Sequence, residues 1–147
     1  MDVFTFTGPF RFLSNFLIEP DGSHVEGEFQ RSKCARLEDR RAFYQGASML
    51  DSELTMMSRP LKTPKECKAI GRKVTLRADW EDVKLDIMLF YVRKKFTDSP
   101  ELAQMLQATG TGKLVEGNTW GDTFWGVCRG RGLNNLGLIL MQVREDL

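Results

Sequence analysis

From Glu116 to Gly137 the chain alternates Gly with Trp, Asp, Arg and Asn and shows no apolar repeat of period 2 or 3.6. A segment with neither period cannot be a long amphipathic helix or a half-buried strand. The longer helices are therefore expected upstream, with short strand-like pieces here and a last helix after Asn134. The pieces that stand out are Leu114-Val115-Glu116, Gly121-Asp122-Thr123-Phe124-Trp125-Gly126 and Gly130-Arg131-Gly132-Leu133-Asn134-Asn135-Leu136-Gly137. Glycine lets backbone approach a ligand closely, Trp125 offers a stacking face, Asp122 a charge, and Arg129 and Arg131 can grip an anion. Such a mixture suits a sugar-phosphate or nucleotide-like ligand. A Gly-rich surface loop with a buried Trp anchor is the plainer reading.

Upstream, the signals are mainly helical. Glu26 to about Ala47 carries Phe29, Cys34, Leu37 and Phe43 loosely on one face, and 48–59 is ambiguous between a short helix and a turn. Thr63-Pro64-Lys65-Glu66 is a helix start that runs to about Ile70 and stops at Gly71. Asp79 caps the clearest helix, with Val83, Ile87, Phe90 and Tyr91 on one face, widened by Leu85, Met88, Leu89 and Val92, up to about Phe96. Pro100 opens another, with Leu102, Met105 and Leu106 inward and Gly110 as its stop. Asn134 is expected to cap the last, burying Leu138, Met141 and Val143. Val3 to Phe16 reads as an extended or short-strand start, and strand-like pieces recur at Leu114-Val115 and Phe124–Val127. The expectation is an α+β fold, a single mostly helical domain over 1–147 with short strands near both ends.

At 147 residues the chain can bury a real core. Its 21 Lys and Arg against 20 Asp and Glu leave a formal charge of +1, which gives no global case for a dedicated nucleic-acid or membrane binder. No apolar run approaches the ~20 residues that span a bilayer, and Met1-Asp2-Val3-Phe4 is not a secretory signal. Three cysteines without a C-x-x-C pair point to reduced thiols and a cytoplasmic setting. With one histidine, His24, and no clustered ligands, no metal and no cofactor are expected. His24 follows the turn Pro20-Asp21-Gly22-Ser23 and is expected at the surface. A Cys128–His24 nucleophile pair has no support beyond the residue types. Gly130-Arg131-Gly132 opens no βαβ unit, so a dinucleotide fold is rejected. Thr109-Gly110-Thr111-Gly112-Lys113 lacks the phosphate-loop spacing and reads as a helix stop.

One ordered set of residues resembles a known family. It comprises Phe12-Leu13-Ser14-Asn15-Phe16, Val25-Glu26 with Phe29-Gln30 and Lys33, Ile70-Gly71-Arg72-Lys73-Val74, Asp79-Trp80 and Lys95-Phe96. It continues with Leu114-Val115-Glu116, Asp122 with Phe124-Trp125-Gly126, and Gly130-Arg131-Gly132 with Asn134, Leu136-Gly137 and Leu140-Met141. In order and spacing this resembles the NADAR, or YbiA-like, family over nearly the whole chain. The resemblance implies a mostly helical α+β fold and an N-glycosidase with a pocket for a ribosyl-phosphate or ADP-ribose-like group. The substrates it implies are ribosylaminopyrimidine intermediates of riboflavin synthesis or ADP-ribosylated guanine in nucleic acid. Two departures bear on the substrate: the family's Glu-His is here Glu26-Gly27, and the stretch after Trp-Gly reads Val127-Cys128-Arg129.

Hydrolysis of a ribosyl C1′–N bond passes through an oxocarbenium-like state. It calls for a carboxylate near C1′, a nucleophile or positioned water, and a proton for the departing nitrogen. The resemblance nominates Glu26, Lys33 and Asp122 as catalytic. For binding it nominates Ser14, Asn15, Phe29, Gln30, Trp80, Glu116, Trp125, Gly126, Arg131, Gly132 and Asn134. Glu26, Gln30 and Lys33 follow at helical spacing, on roughly one side. A buried Lys33 can lose its proton and attack C1′. The plainer alternatives are a helix-dipole carboxylate for Glu26, a surface polar group for Gln30 and a solvated Lys33. Asp122 and Asn15 are equally readable as turn formers, Glu116 as an arginine's partner, and Trp80 as a core anchor. Trp120 has no assigned role. A module that binds ADP-ribose or a nucleotide without cleaving it is the rival from another class.

Overall fold

A computed structural model describes residues 1–44 and 60–147. The ambiguous 48–59 stretch and the end of the long helix expected up to Ala47 lie outside the described residues. The chain divides into two compact units, one of Asn15–Ile87 and one of Met1–Ser14 with Met88–Leu147.

In the Asn15–Ile87 unit, α1 (Val25–Ser32), α2 (Leu37–Arg41) and α3 (Pro64–Gly71) are the described helices ahead of α4 (Trp80–Thr97). One long helix from Glu26 was expected; instead the chain leaves α1 at Ser32. Around Cys34 it turns extended: Cys34 bridges Leu76, and the Ala35 N–H donates to the Thr75 carbonyl at 2.9 Å. The loosely spaced apolar residues were serving two short helices and a bridge, which a 3.6-residue template cannot separate. α1 packs on α2 and on α3. Beside them Phe43, Tyr44, Leu61 and Cys67 form a buried cluster with Cys34, Ile70 and Val74 against it. α3 starts as its sequence predicts. Thr63 Oγ1 accepts from the Glu66 N–H at 3.3 Å and donates to Glu66 Oε1 at 2.8 Å, an N-cap with Pro64 in the first turn.

α1 starts less conventionally. Its N-cap is His24, whose Nδ1 accepts from the Gly27 N–H at 2.8 Å while Nε2 lies 2.7 Å from the Lys62 carbonyl oxygen. Those partners assign the neutral tautomer with the proton on Nε2. His24 is 2 % exposed, which corrects the surface placement expected for it. Burial holds its pKa below the ordinary 6.5. The turn residues before it misled, because they end one residue short of a cap whose other half comes from a distant segment.

In the other unit, Gly8–Leu13 is a 3-10 helix. The extended start is a single bridge, Val3 with Leu114, closed by Val3 N–H to Lys113 O (2.7 Å) and Val115 N–H to Val3 O (2.8 Å). Pro100–Ala108 forms α5, capped by Ser99, and Asn135–Asp146 forms α6, which packs on α5. Two short strands, β1 (Gly117–Asn118) and β2 (Val127–Cys128), pair in parallel. The strands thus lie beside the expected Leu114-Val115 and Phe124–Val127 pieces, within the Gly-rich third. The α+β, mostly helical class holds.

Which faces are buried differs from the sequence expectation. Along α4, Trp80, Met88, Val92, Lys95 and Phe96 are buried, whereas Leu85 and Phe90 are exposed. Met105 and Leu138 are likewise exposed, and Leu106, Leu136, Ile139, Leu140 and Val143 are buried. Apolar residues nearly encircle α4, so periodicity does not choose its inner face. Lys95 is 4 % exposed and donates to the carbonyls of Phe12 (2.6 Å) and Ser14 (3.1 Å), so its ammonium is paired with the end of the 3-10 helix. No helix among the described residues is long and apolar enough to cross a membrane.

Candidate active site

The expected site residues fall into two groups, one in each unit. The first is built on α1. Its first turn is fixed by the His24 cap and by the Glu26 N–H donating to the Asn15 carbonyl at 3.1 Å. Glu26 is 7 % exposed and Gln30 6 % exposed, which removes the surface reading of Gln30. Gln30 Nε2 donates to Glu26 Oε1 at 2.9 Å across one helical turn. A carboxylate only accepts, so this bond fixes the orientation of the Gln30 amide. Its other atom, Oε1, is buried without a hydrogen-bond partner.

Phe29 and Trp80 are buried together, ring centroids 5.0 Å apart and planes inclined at 55°. The Lys33 ammonium lies 5.7 Å from the Phe29 centroid and 5.9 Å from the Trp80 centroid. Lys33 terminates α1, and its carbonyl accepts from the Arg77 N–H at 2.8 Å, which fixes its backbone beside the start of α4. Burial lowers its pKa from the usual lysine value; the Glu26 charge opposes the shift, and Arg72 and Lys68 add to it. Lys33 is thus a half-buried lysine, destabilised as a cation, in the field of the buried Glu26 carboxylate.

Gly27 has a local reason to be glycine. A Cβ there would lie 2.5 Å from Leu61 Cδ1 and 2.6 Å from His24 Cε1. The Leu61 and His24 side chains occupy that space and exclude a side chain at 27.

The second group lies in the Gly117–Asn134 loop. Asp122 Oδ1 accepts from the N–H groups of Phe124 (3.1 Å) and Trp125 (2.9 Å), the turn-forming arrangement. Asn118, which the sequence reading passed over, organises this loop. Its Nδ2 donates to Glu116 Oε2 (3.3 Å) and to the Asp122 carbonyl (2.8 Å), and its Oδ1 accepts from the Asp122 N–H (3.1 Å). Gly126 lies against Glu116: a Cβ on it would sit 1.8 Å from Oε2. Asn134 occupies the N-cap position of α6 with φ 54°, yet its side chain does not cap that helix. Its Oδ1 accepts from the Glu116 N–H and its Nδ2 donates to the Leu114 carbonyl, both at 3.0 Å. Trp125 packs edge-on to Phe124 with centroids 4.8 Å apart. Arg131 is exposed; Gly132 has φ +148°, and a Cβ there would lie 2.1 Å from the Gly126 carbonyl oxygen.

Of the remaining expected residues, Asn15 is buried, with its carbonyl committed to Glu26, and the Ser14 carbonyl accepts from Lys95. Two of the thiols do not suit nucleophilic work: burial pushes Cys34 up to about 11 and Cys67 up to about 12. Signals for the missed residues were present but faint. Asn118 stands four residues before Asp122, and His24 directly precedes the first helical apolar residue, Val25.

The NADAR domain model matches residues 6–147, which span both units. The chain is 36 % identical over 145 residues to N-glycosidase Npun_R5314 of Nostoc punctiforme, covering 95 % of this chain and 86 % of that protein. It is 37 % identical over 108 residues to N-glycosidase YbiA of Escherichia coli, covering 71 % and 67 %. It is also 41 % identical over 93 residues to the chloroplastic riboflavin biosynthesis protein PYRR of Zea mays, covering 58 % of this chain and 15 % of that protein. The NMR structure of E. coli YbiA superposes with a TM-score of 0.76 at 28 % identity, over 99 % of this chain and 83 % of that one. The fold and these relatives define the class as an N-glycosidase. The chain belongs to the NADAR family.

Proposed function

We propose that this enzyme hydrolyses the C1′–N bond of a ribosyl phosphate, its substrate being a ribosylaminopyrimidine phosphate of the kind formed in riboflavin synthesis. Glu26 and Lys33 act at C1′. The observation that carries this reading is the buried Glu26–Gln30 pair on the helix that ends at Lys33, whose charge is destabilised by burial. Breaking the bond builds positive charge on C1′, and a fixed buried carboxylate stabilises that charge. Neutral Lys33 donates its lone pair to C1′. The bond to the pyrimidine nitrogen breaks, and that nitrogen departs with a proton, carried from Lys33 by Glu26. The C1′–O4′ bond then breaks, O4′ takes the second Lys33 proton, and the ribose opens as a Schiff base to Lys33. Water then adds to C1′, Lys33 leaves, and the ribose phosphate closes. Asp122 is given no step in this chemistry, because its Oδ1 is spent on two backbone N–H groups.

The similarity to the riboflavin biosynthesis protein supports the pyrimidine substrate. The net charge of +1 supports a small molecule over an extended nucleic-acid surface. ADP-ribosylated guanine presents the same C1′–N bond and is the second substrate to try. Pure protein incubated separately with the ribosylaminopyrimidine phosphate and with an ADP-ribosyl-guanine oligonucleotide is assayed by mass spectrometry. Release of the free aminopyrimidine is expected. Release from the oligonucleotide alone would replace the substrate, and release from neither by folded protein would overturn the proposal.

A further inference from the structure

Gly71 is the last residue of α3, and its backbone does not require glycine, since it is absent from the positive-φ residues of the described chain. Glycine is a poorer helix former than alanine, so a glycine in a right-handed helical turn calls for a packing reason. The reason lies in the first group. A Cβ on Gly71 would fall 1.9 Å from Gln30 Oε1, 2.7 Å from Gln30 Cδ and 3.3 Å from Gln30 Cβ. The carboxamide of Gln30 therefore fills the space a side chain at 71 would take. Its oxygen faces Gly71, and its nitrogen is thereby aimed at Glu26. A methyl group at 71 cannot coexist with that placement, so the amide has to move out of the position from which it meets Glu26.

We infer that Gly71 is a positioning residue for the reaction, acting through Gln30 on the Glu26 carboxylate. The inference rests on the proposed role of Glu26. Its physical content is a three-residue relay in which an empty position on α3 sets a side-chain pair on α1.

The test is a double-mutant cycle of Gly71→Ala and Gln30→Ala, read by two measurements. The side-chain amide signal of Gln30 in a 15N–1H NMR spectrum reports the bond to Glu26 without reference to activity. Turnover of the substrate that the native enzyme cleaves reports its consequence. The expected result for folded G71A is a shifted, solvent-exchanging Gln30 amide and a turnover drop of about tenfold to a hundredfold. In the Q30A background, G71A is expected to change turnover by less than about twofold, because the effect runs through the missing amide. An unmoved Gln30 amide in folded G71A, or equal losses from G71A with and without Gln30, would overturn the inference. A moved amide with unchanged turnover would instead overturn the reading of Glu26 beneath it. If G71A does not fold, recovery of folding in Q30A/G71A supports the relay, and failure of both to fold contradicts it.

Discussion

The α1 group and the Gly117–Asn134 loop use the same parts in different ways. Each holds a glutamate bonded to an amide side chain, Glu26 with Gln30 and Glu116 with Asn118. Each has a glycine clearing space, Gly71 for Gln30 and Gly126 for Glu116. On α1 the helix, its His24 cap and the Asn15 carbonyl satisfy the backbone, so the polar side chains are left to act on one another and, in the proposed reaction, on a ligand. In the loop the backbone has no helix, and Asn118, Asp122 and Asn134 satisfy it instead. Residue types that look equally reactive in a sequence therefore divide into those available for chemistry and those spent on shape.

Substitutions can break or sharpen this contrast. The largest effect is expected from Glu26→Gln, which keeps shape and a hydrogen-bonding oxygen but removes the charge. Turnover should fall at least about a hundredfold with the melting temperature unchanged or raised, read by product release and thermal unfolding. Lys33→Met should abolish turnover by a comparable factor while making the protein more stable at neutral pH. The sign follows from the lowered pKa. A lysine whose folded pKa is depressed penalises the folded state wherever it is charged, and that penalty grows as pH falls through the folded value. The extra stability of K33M should accordingly be present at neutral pH and vanish above the usual lysine pKa of 10.5. A constant difference across that range would contradict the assigned burial. For the native enzyme, turnover should rise with pH as Lys33 loses its proton.

In the loop the order of effects inverts. Asp122→Asn retains an oxygen for both backbone N–H groups, so turnover should stay within about tenfold of native. Asp122→Ala loses both bonds, about 1 kcal/mol each, and should lower the melting temperature by several degrees. A hundredfold loss in D122N with unchanged stability would make Asp122 catalytic and erase the contrast. The smallest effect concerns His24. Its lowered pKa means that stability is intact above 6.5 and is lost as pH falls through the still lower folded value, when protonated Nδ1 can no longer accept from Gly27. His24→Asn, an N-cap that does not titrate, should flatten acid denaturation in that range by about 1 kcal/mol.

The sequence carried the helix starts well where the signal is local: Thr63-Pro64 and Pro100 begin helices as read. It carried the Glu26, Gln30 and Lys33 spacing too, because one helical face follows from residue numbers alone. What it could not carry was set by distant partners. His24 looks like a turn residue until the carbonyl of Lys62, 38 positions later, accepts a hydrogen bond from its Nε2. Gly71 looks like a helix stop until Gln30 is seen lying against it. The inner face of α4 was misread because Phe90 and Met88 are equally apolar and only packing decides between them. Asp122 was readable both as catalyst and as turn former, and its two backbone bonds, which need coordinates, favour the second.

The most direct measurement is the turnover of folded Glu26→Gln beside the native enzyme on the ribosylaminopyrimidine phosphate, followed by mass spectrometry. A loss of at least about a hundredfold with an intact melting curve is the result predicted for a buried carboxylate at C1′. Turnover within a few-fold of native would contradict it and move the chemistry away from α1.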